Sequence, residues 1–324
     1  MIILGIETSC DETALALLEV NGENYTVIDS LIHSQVDVHR EYGGVFPMMA
    51  KREHEKNLPI LYKEITEKNP VKIDRIAVTY GPGLEPALWT GVTFAQTLGL
   101  PVVPVNHMEG HILGSLIDEK NHKLHPVQFP ALAFLLSGGH TELVLIEGFG
   151  TYKILGKTRD DAVGEAYDKV ARMLGLTYPG GPEIAKRAHA QREQNITCPI
   201  TLPRPMLHSK DLDFSFAGLK TAVLYALKEH TNIPGIEREF EEAVKDVLVS
   251  KLKSAIEEYG PQTLIVGGGV SANDYLIGCF KQVSNIPFYA PTKHIAGDNA
   301  VMIALAGSFG TVQTDIKAKG NLPL

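Results

Sequence analysis

The chemistry this chain could do is concentrated first in the run Asn106-His107-Met108-Glu109-Gly110-His111. Histidines four residues apart on a helix share one face, so both imidazoles can reach a single metal ion. The helix start is itself readable. Asn106 suits an N-cap, Glu109 three residues later completes a capping-box pattern, and the apolar strand run 102–105 comes just before. His107 then sits in the first turn, where free backbone N–H groups and the helix dipole favour an anion and a neutral imidazole. Two surface histidines on an ordinary helix would show the same spacing, so the rest of the chain has to decide.

Composition sets the frame for those residues. The chain has 324 residues, 44% of them hydrophobic and 21% charged, with a mean hydropathy near zero. That is enough to bury two cores of ordinary size in a soluble enzyme. No stretch approaches 18 uninterrupted apolar residues, so no transmembrane helix is expected. Residues 1–6 enter a strand pattern at once, without a basic region or cleavage site, so a signal peptide is not expected. Cys10, Cys198 and Cys279 are far apart and form no CxxC, which fits free thiols in a reducing cytoplasm. Net charge is −8, so any nucleic acid would need a local basic patch or a partner to supply positive charge.

The elements that position the histidines read as one unit written twice. A strand, a polar turn and a second strand open each copy: 4–6, 7–13 and 14–20, then 131–136, 137–141 and 143–146. Third strands follow near 27–36 and 152–158, with helices near 49–67 and 162–174. Strands 75–80 and 263–266 run into glycine turns. A helix, a short strand (102–105; 288–290) and a closing helix, from 107 and from about 297, complete each copy. The order β-β-β-α-β-α-β-α, repeated, predicts an α/β protein of two ribonuclease H-like lobes around a central cleft, the actin-like, sugar-kinase and Hsp70 (ASKHA) fold. The first lobe is expected over 1–125, completed by 298–324. The second is expected over 126–297, with a helical insertion around 176–240.

In such a repeat the two closing helices are equivalent. The second begins near Ala296-Gly297-Asp298-Asn299-Ala300, so Asp298 is the natural third ligand beside His107 and His111. Two imidazoles and a carboxylate leave coordination positions open, suiting iron(II) if octahedral and zinc if tetrahedral. The plainer reading of Asp298 is an N-cap.

Glycine loops form a second group. Ser137-Gly138-Gly139-His140 and Gly267-Gly268-Gly269-Val270-Ser271-Ala272-Asn273 each follow an apolar strand, and Tyr178-Pro179-Gly180-Gly181-Pro182 is a third tight loop. Such backbone can approach a phosphate or nucleoside closely. No P-loop or strand–GxGxxG–helix signature occurs. On the helix 161–174, Asp161, Glu165 and Asp168 lie opposite an apolar face. That stripe is either solvated or, through Asp168, aimed at ribose hydroxyls. Asp213-Phe214-Ser215-Phe216-Ala217-Gly218-Leu219-Lys220-Thr221 marks a loop–helix junction, read as a hydrophobic staple or as a segment that contacts substrate or RNA.

Five ordered motifs then carry a resemblance over essentially the whole chain: 6–13, 107–111, 137–141, 213–221 and 268–273. Together they resemble the bacterial TsaD family, the tRNA adenosine threonylcarbamoyltransferases. The resemblance implies transfer of a threonylcarbamoyl group from threonylcarbamoyl-adenylate to the exocyclic amine of adenosine 37, in tRNAs reading codons that begin with adenine, with AMP released. It places metal ligands on His107, His111 and Asp298, with iron(II) as the ion and zinc as the alternative. It places adenylate contacts on Leu135, Leu136, Ser137, Gly138, Gly139, Asp168, Gly181 and Asn273. It also implies a TsaB-like paralogue docked on the first lobe, a TsaE-like ATPase and a cytoplasmic location. Ala300, Ala217, Met48 and Ala185 depart from the family pattern; Ala185 stands where some relatives carry a substrate-contacting aspartate.

The residues fit that chemistry. A mixed anhydride is already activated, so the protein must hold and polarise a carbonyl and admit a weakly nucleophilic amine. No Ser–His–Asp or Cys–His set stands out, so no covalent enzyme intermediate is expected. Asp11 or Glu12, on the first hairpin turn, is the candidate proton acceptor. A small-molecule kinase, a scaffold with vestigial nucleotide binding and a metalloprotease are the competing classes. The last would need HExxH, and here the glutamate stands one place too late.

Overall fold

The computed structural model describes residues 1–230 and 232–324, which gather into two compact units. One is Met1–Pro126 with Pro291–Leu324; the other is Val127–Ala290. The return to the first unit thus comes at Pro291, ahead of the expected 298.

The first unit opens with three antiparallel strands, β1 (Ile2–Glu7), β2 (Glu12–Asn21) and β3 (Asn24–Ser34). A short helix α1 (Val36–Arg40) and the long α2 (Pro47–Lys68) follow. Then come β4 (Arg75–Gly81), α3 (Glu85–Thr97), β5 (Val102–Asn106) and α4 (His107–Gly114). A small hairpin, β6 (Ile117–Asp118) and β7 (Lys123–Leu124), extends the sheet past β3. The strand order is β5-β4-β1-β2-β3-β7-β6, with β4 parallel to β1 and β5 parallel to β4. Neither α1 nor the hairpin was expected from the repeat; both are too short to show a period.

The second unit opens likewise with β8 (Ala131–Leu136), β9 (Thr141–Gly148) and β10 (Thr151–Lys157). Four helices follow: α5 (Val163–Met173), α6 (Gly180–Glu193), α7 (Ala217–Glu229) and α8 (Ile236–Tyr259). β11 (Thr263–Gly267) leads through a 3₁₀ turn, Gly269–Ala272, into α9 (Asp274–Lys281) and then β12 (Phe288–Tyr289). The sheet order is β10-β9-β8-β11-β12, and β11 runs parallel to β8. All six residues of β8 are buried, as a strand covered on both faces requires. Phe134 on β8 packs against Phe214 and Phe280, with ring centroids 5.8 and 5.4 Å away.

The last helix, α10 (Ala300–Phe309), belongs to the first unit and crosses β1, β2 and β4. It starts later than the expected 297, and its N-cap is Asn299, whose Oδ1 accepts from the Met302 amide at 3.0 Å. Asp298 is therefore not the cap. Alternation along β1 sends Leu4 and Ile6 into the core shared with α2 and α3. It sends Gly5 toward α10, so close that a Cβ there would lie 2.1 Å from the Ala300 carbonyl oxygen. Gly110 on α4 does the same: its Cβ would lie 2.9 Å from Ile303 Cδ1. Two glycines thus let α10 approach the strand and the helix that carry the site.

Candidate functional site

Asn106 makes the helix start the sequence predicts: its side-chain oxygen accepts from the amides of Met108 and Glu109 at 2.9 and 3.4 Å. That fixes His107 and His111 on one face of α4, with ring centroids 4.6 Å apart. The segment before α10 brings Asp298 to them. Its Oδ1 lies 3.4 Å from His107 Nε2 and 3.2 Å from His111 Nε2. One ligand atom from each of the three residues falls within 4.8 Å of the others.

The sequence reading missed the residue that orients this set. Glu7, at the end of β1 and fully buried, accepts from His107 Nδ1 at 3.0 Å and from Thr79 Oγ1 at 2.6 Å, and it also takes the Ser9 amide. With its proton on Nδ1, His107 turns Nε2 toward Asp298, the arrangement by which a carboxylate fixes a metal-binding imidazole. The only signal for this was an acidic residue ending an apolar strand.

Electrostatics separates the two rings. Burial opposes a charge on His107, but Asp298 and then Glu7 hold it well above its ordinary value. For His111 burial outweighs Asp298 and holds the ring below its ordinary value. Burial alone would raise Glu7 and Asp298; the His107 charge instead lowers both. His111 Nε2 is buried 3.2 Å from Asp298 Oδ1, a contact that is electrostatic but makes no well-formed hydrogen bond among the described residues. Such a buried orphan costs about 1–3 kcal/mol. A cation among these atoms would satisfy it, so the donor set fits a divalent metal with two imidazoles and a carboxylate.

The hairpin turn carrying Asp11 and Glu12 belongs to the same unit. Burial, with the Asp11 carboxylate next in size, pushes Glu12 up to about 10. His54 on α2 braces the turn: its Nε2 donates to the Cys10 carbonyl at 3.0 Å, and its Nδ1 accepts from Thr13 Oγ1 at 2.8 Å.

In the second unit, Gly138, Asp168, Gly181 and Asn273 line one cavity of about 270 Å³. Leu135 and Leu136 do not; their side chains are fully buried in β8. Ser137 and Gly139 also lie outside its lining. Ser137 is spent locally, its amide on the His140 carbonyl at 2.9 Å and its hydroxyl accepting the His140 amide at 3.0 Å. Asp168 Oδ1 accepts from the Gly180 amide at 2.7 Å, closing the start of α6.

The acidic stripe expected on one helix divides: α5 starts only at Val163, so Asp161 precedes it and Glu165 and Asp168 lie on it. Asp161 pairs with Lys169 and Lys220 at 2.6 and 2.7 Å, and Glu165 pairs with Lys169 at 2.7 Å. Only Asp168 reaches the cavity. The segment 213–221 starts α7, and a residue the sequence did not point to caps it. Asp160 accepts from Ser215 Oγ at 2.5 Å and from the amides of Phe216 and Ala217 at 2.8 and 3.1 Å.

Comparison with known proteins follows this geometry. A family model described as TsaD, tRNA N6-adenosine threonylcarbamoyltransferase, matches residues 26–305. A protein of that name from Trichlorobacter lovleyi is 45% identical, covering 95% of this chain and 91% of its own. Among solved structures, component A of the (R)-2-hydroxyglutaryl-CoA dehydratase of Acidaminococcus fermentans aligns with a TM-score of 0.55 at 12% identity, covering 94% of this chain and 96% of its own. A ROK family glucokinase from Streptomyces griseus aligns with a TM-score of 0.50 at 12% identity, covering 96% and 99%. These two share the fold alone, the actin-like and sugar-kinase architecture expected from the repeat. On the family match and the near full-length identity, the chain belongs to the TsaD family of tRNA N6-adenosine threonylcarbamoyltransferases.

Proposed function

We propose that this chain transfers a threonylcarbamoyl group to the N6 amine of an adenosine in tRNA, using a divalent cation held by His107, His111 and Asp298. The observation that carries the metal assignment is the buried His111 Nε2 without a hydrogen bond, 3.2 Å from a carboxylate oxygen. The donor we infer is threonylcarbamoyl-adenylate and the acceptor adenosine 37 of tRNAs reading codons that begin with adenine. The N6 amine attacks the activated carbonyl, the bond to the phosphate oxygen breaks, and AMP leaves.

When bound, the cation, iron(II) in this proposal, supplies Lewis-acid polarisation and a template for oxygen atoms. The rest falls to the protein. Glu7 keeps His107 in the tautomer whose Nε2 faces Asp298. Asp11 accepts the proton lost from the amine. In the second unit the cavity bounded by Gly138, Asp168, Gly181 and Asn273 holds the nucleotide part of the donor, with glycine backbone able to lie close to it.

A net charge of −8 argues that tRNA is not held by this chain alone. We infer a TsaB-like paralogue docked on the helical face of the first unit, where Met48, Ile60 and Trp89 are exposed, and a TsaE-like ATPase, in a cytoplasmic setting. Among the described residues no helix is long and apolar enough to cross a membrane.

The experiment is metal analysis of the purified chain, followed by transfer to tRNA in the presence of its partners. His111→Ala should lose both metal and transfer while melting cooperatively. Full transfer by metal-free His111→Ala would overturn the proposal, and zinc in the active protein would replace iron(II).

A further inference from the structure

Behind the wall of the second unit's cavity lies a carboxylate that the mechanism above does not use. Glu241 on α8 is fully buried, an expensive place for a charge unless every lone pair is used. Its Oε1 accepts from Asn273 Nδ2 at 2.7 Å and from the Tyr167 hydroxyl at 3.4 Å. Its Oε2 accepts from Arg192 Nη1 at 2.6 Å. Arg192 is itself held, donating from Nε to Glu242 at 3.0 Å and lying 3.4 Å from the Tyr275 ring centroid. One oxygen of Glu241 is thus neutralised by a cation, and the other holds two residues that line the cavity.

Those two residues are left with little freedom. Asn273 Oδ1 accepts from the amides of Tyr275 and Leu276 at 3.0 and 3.2 Å, capping α9. With one Nδ2 hydrogen on Glu241, both ends of the amide are fixed and one N–H remains for a ligand. Tyr167 stays a neutral donor, because burial and then the Glu241 charge push its hydroxyl well up. Both need an acceptor. A glutamine at 241 would turn an N–H against Arg192 or against Asn273.

We propose that Glu241 is the positioning residue of this cavity: by holding Asn273 it aims the remaining Asn273 N–H at an oxygen atom of a nucleoside 5′-monophosphate group. This rests on reading the cavity as the nucleotide part of the transfer site. Glu241 touches no substrate. Its effect should therefore appear in nucleotide affinity and be transmitted through Asn273.

The test is calorimetric binding of AMP to the full chain. Glu241→Gln should weaken binding about tenfold or more, the loss expected for one charged hydrogen bond, with the melt still cooperative and metal uptake by the first unit unchanged. Asn273→Ser, which keeps a capping oxygen but no amide, should weaken it similarly. Adding Glu241→Gln to Asn273→Ser should then change affinity by less than about twofold, whereas independent residues would multiply. Equal AMP affinity in Glu241→Gln and wild type, or full multiplication in the double variant, would overturn the proposal. If Glu241→Gln does not fold, Glu241→Asp, which keeps the charge but shortens the reach to Asn273, carries the test: severalfold weaker AMP binding supports the proposal, and unchanged binding overturns it. A wild-type chain that binds no AMP would overturn the nucleotide reading of the cavity, and the proposal with it.

Discussion

Glu7 Oε2 stands 3.0 Å from His107 Nδ1, and that bond decides which nitrogen of the ring is turned toward Asp298. Replacing Glu7 with glutamine keeps the size but offers an N–H where an acceptor is needed. Metal affinity should fall about 10–100-fold, the usual cost of losing a partner behind a ligand. Competition with a chelator of known affinity measures it. Unchanged affinity would mean that Glu7 only fills space.

Because a metal would bind the folded first unit and not the unfolded chain, removing it should lower the melting temperature, and restoring it should reverse the change. In His111→Ala the same treatment should leave the melt where it is. A chelator-induced shift that persists in this variant would place the stabilising ion elsewhere.

His54 gives the chain a defined acid sensitivity. Burial, opposed by the Cys10 carbonyl and by nearby carboxylates, leaves the ring below its ordinary value. An unfolded histidine titrates near about 6.5, so below that pH the unfolded chain binds the proton first. Stability should therefore fall as pH drops through that value toward the lower folded one. Urea unfolding at successive pH values should show a shallower acid slope for His54→Asn than for wild type; equal slopes would exclude His54 as the source.

Asp160→Ala removes three acceptor contacts at the start of α7. Loss of a helix cap costs about 1 kcal/mol, so the denaturant midpoint should drop with little change in slope. An unaltered midpoint would show that water replaces the carboxylate without cost.

What could be read in advance follows from how local each signal is. The His107–His111 pair, its cap Asn106 and the repeated strand order are carried by short-range spacing, so the helix and the paired units were visible. Asp298 was reached because repetition supplies a long-range relation that spacing alone cannot. Glu7, His54, Asp160 and Glu241 were not found, because each acts on a partner distant in sequence. Glu241 lies three and seven residues before Val244 and Leu248, on the buried face of α8, where a carboxylate is informative only once Arg192 and Asn273 are seen beside it. Leu135 and Leu136 border the glycine loop in sequence; on opposite faces of β8 both bury their side chains, so only their backbone is left to meet a ligand.

Helix α10 has a consequence for synthesis. It rests on β1, yet is made only after the whole second unit has been translated. The residues of the second unit form one uninterrupted stretch and can collapse as soon as they emerge. The strands before it must wait with Gly5 uncovered until α10 emerges, so Asp298 joins the two histidines only after the second unit has been made.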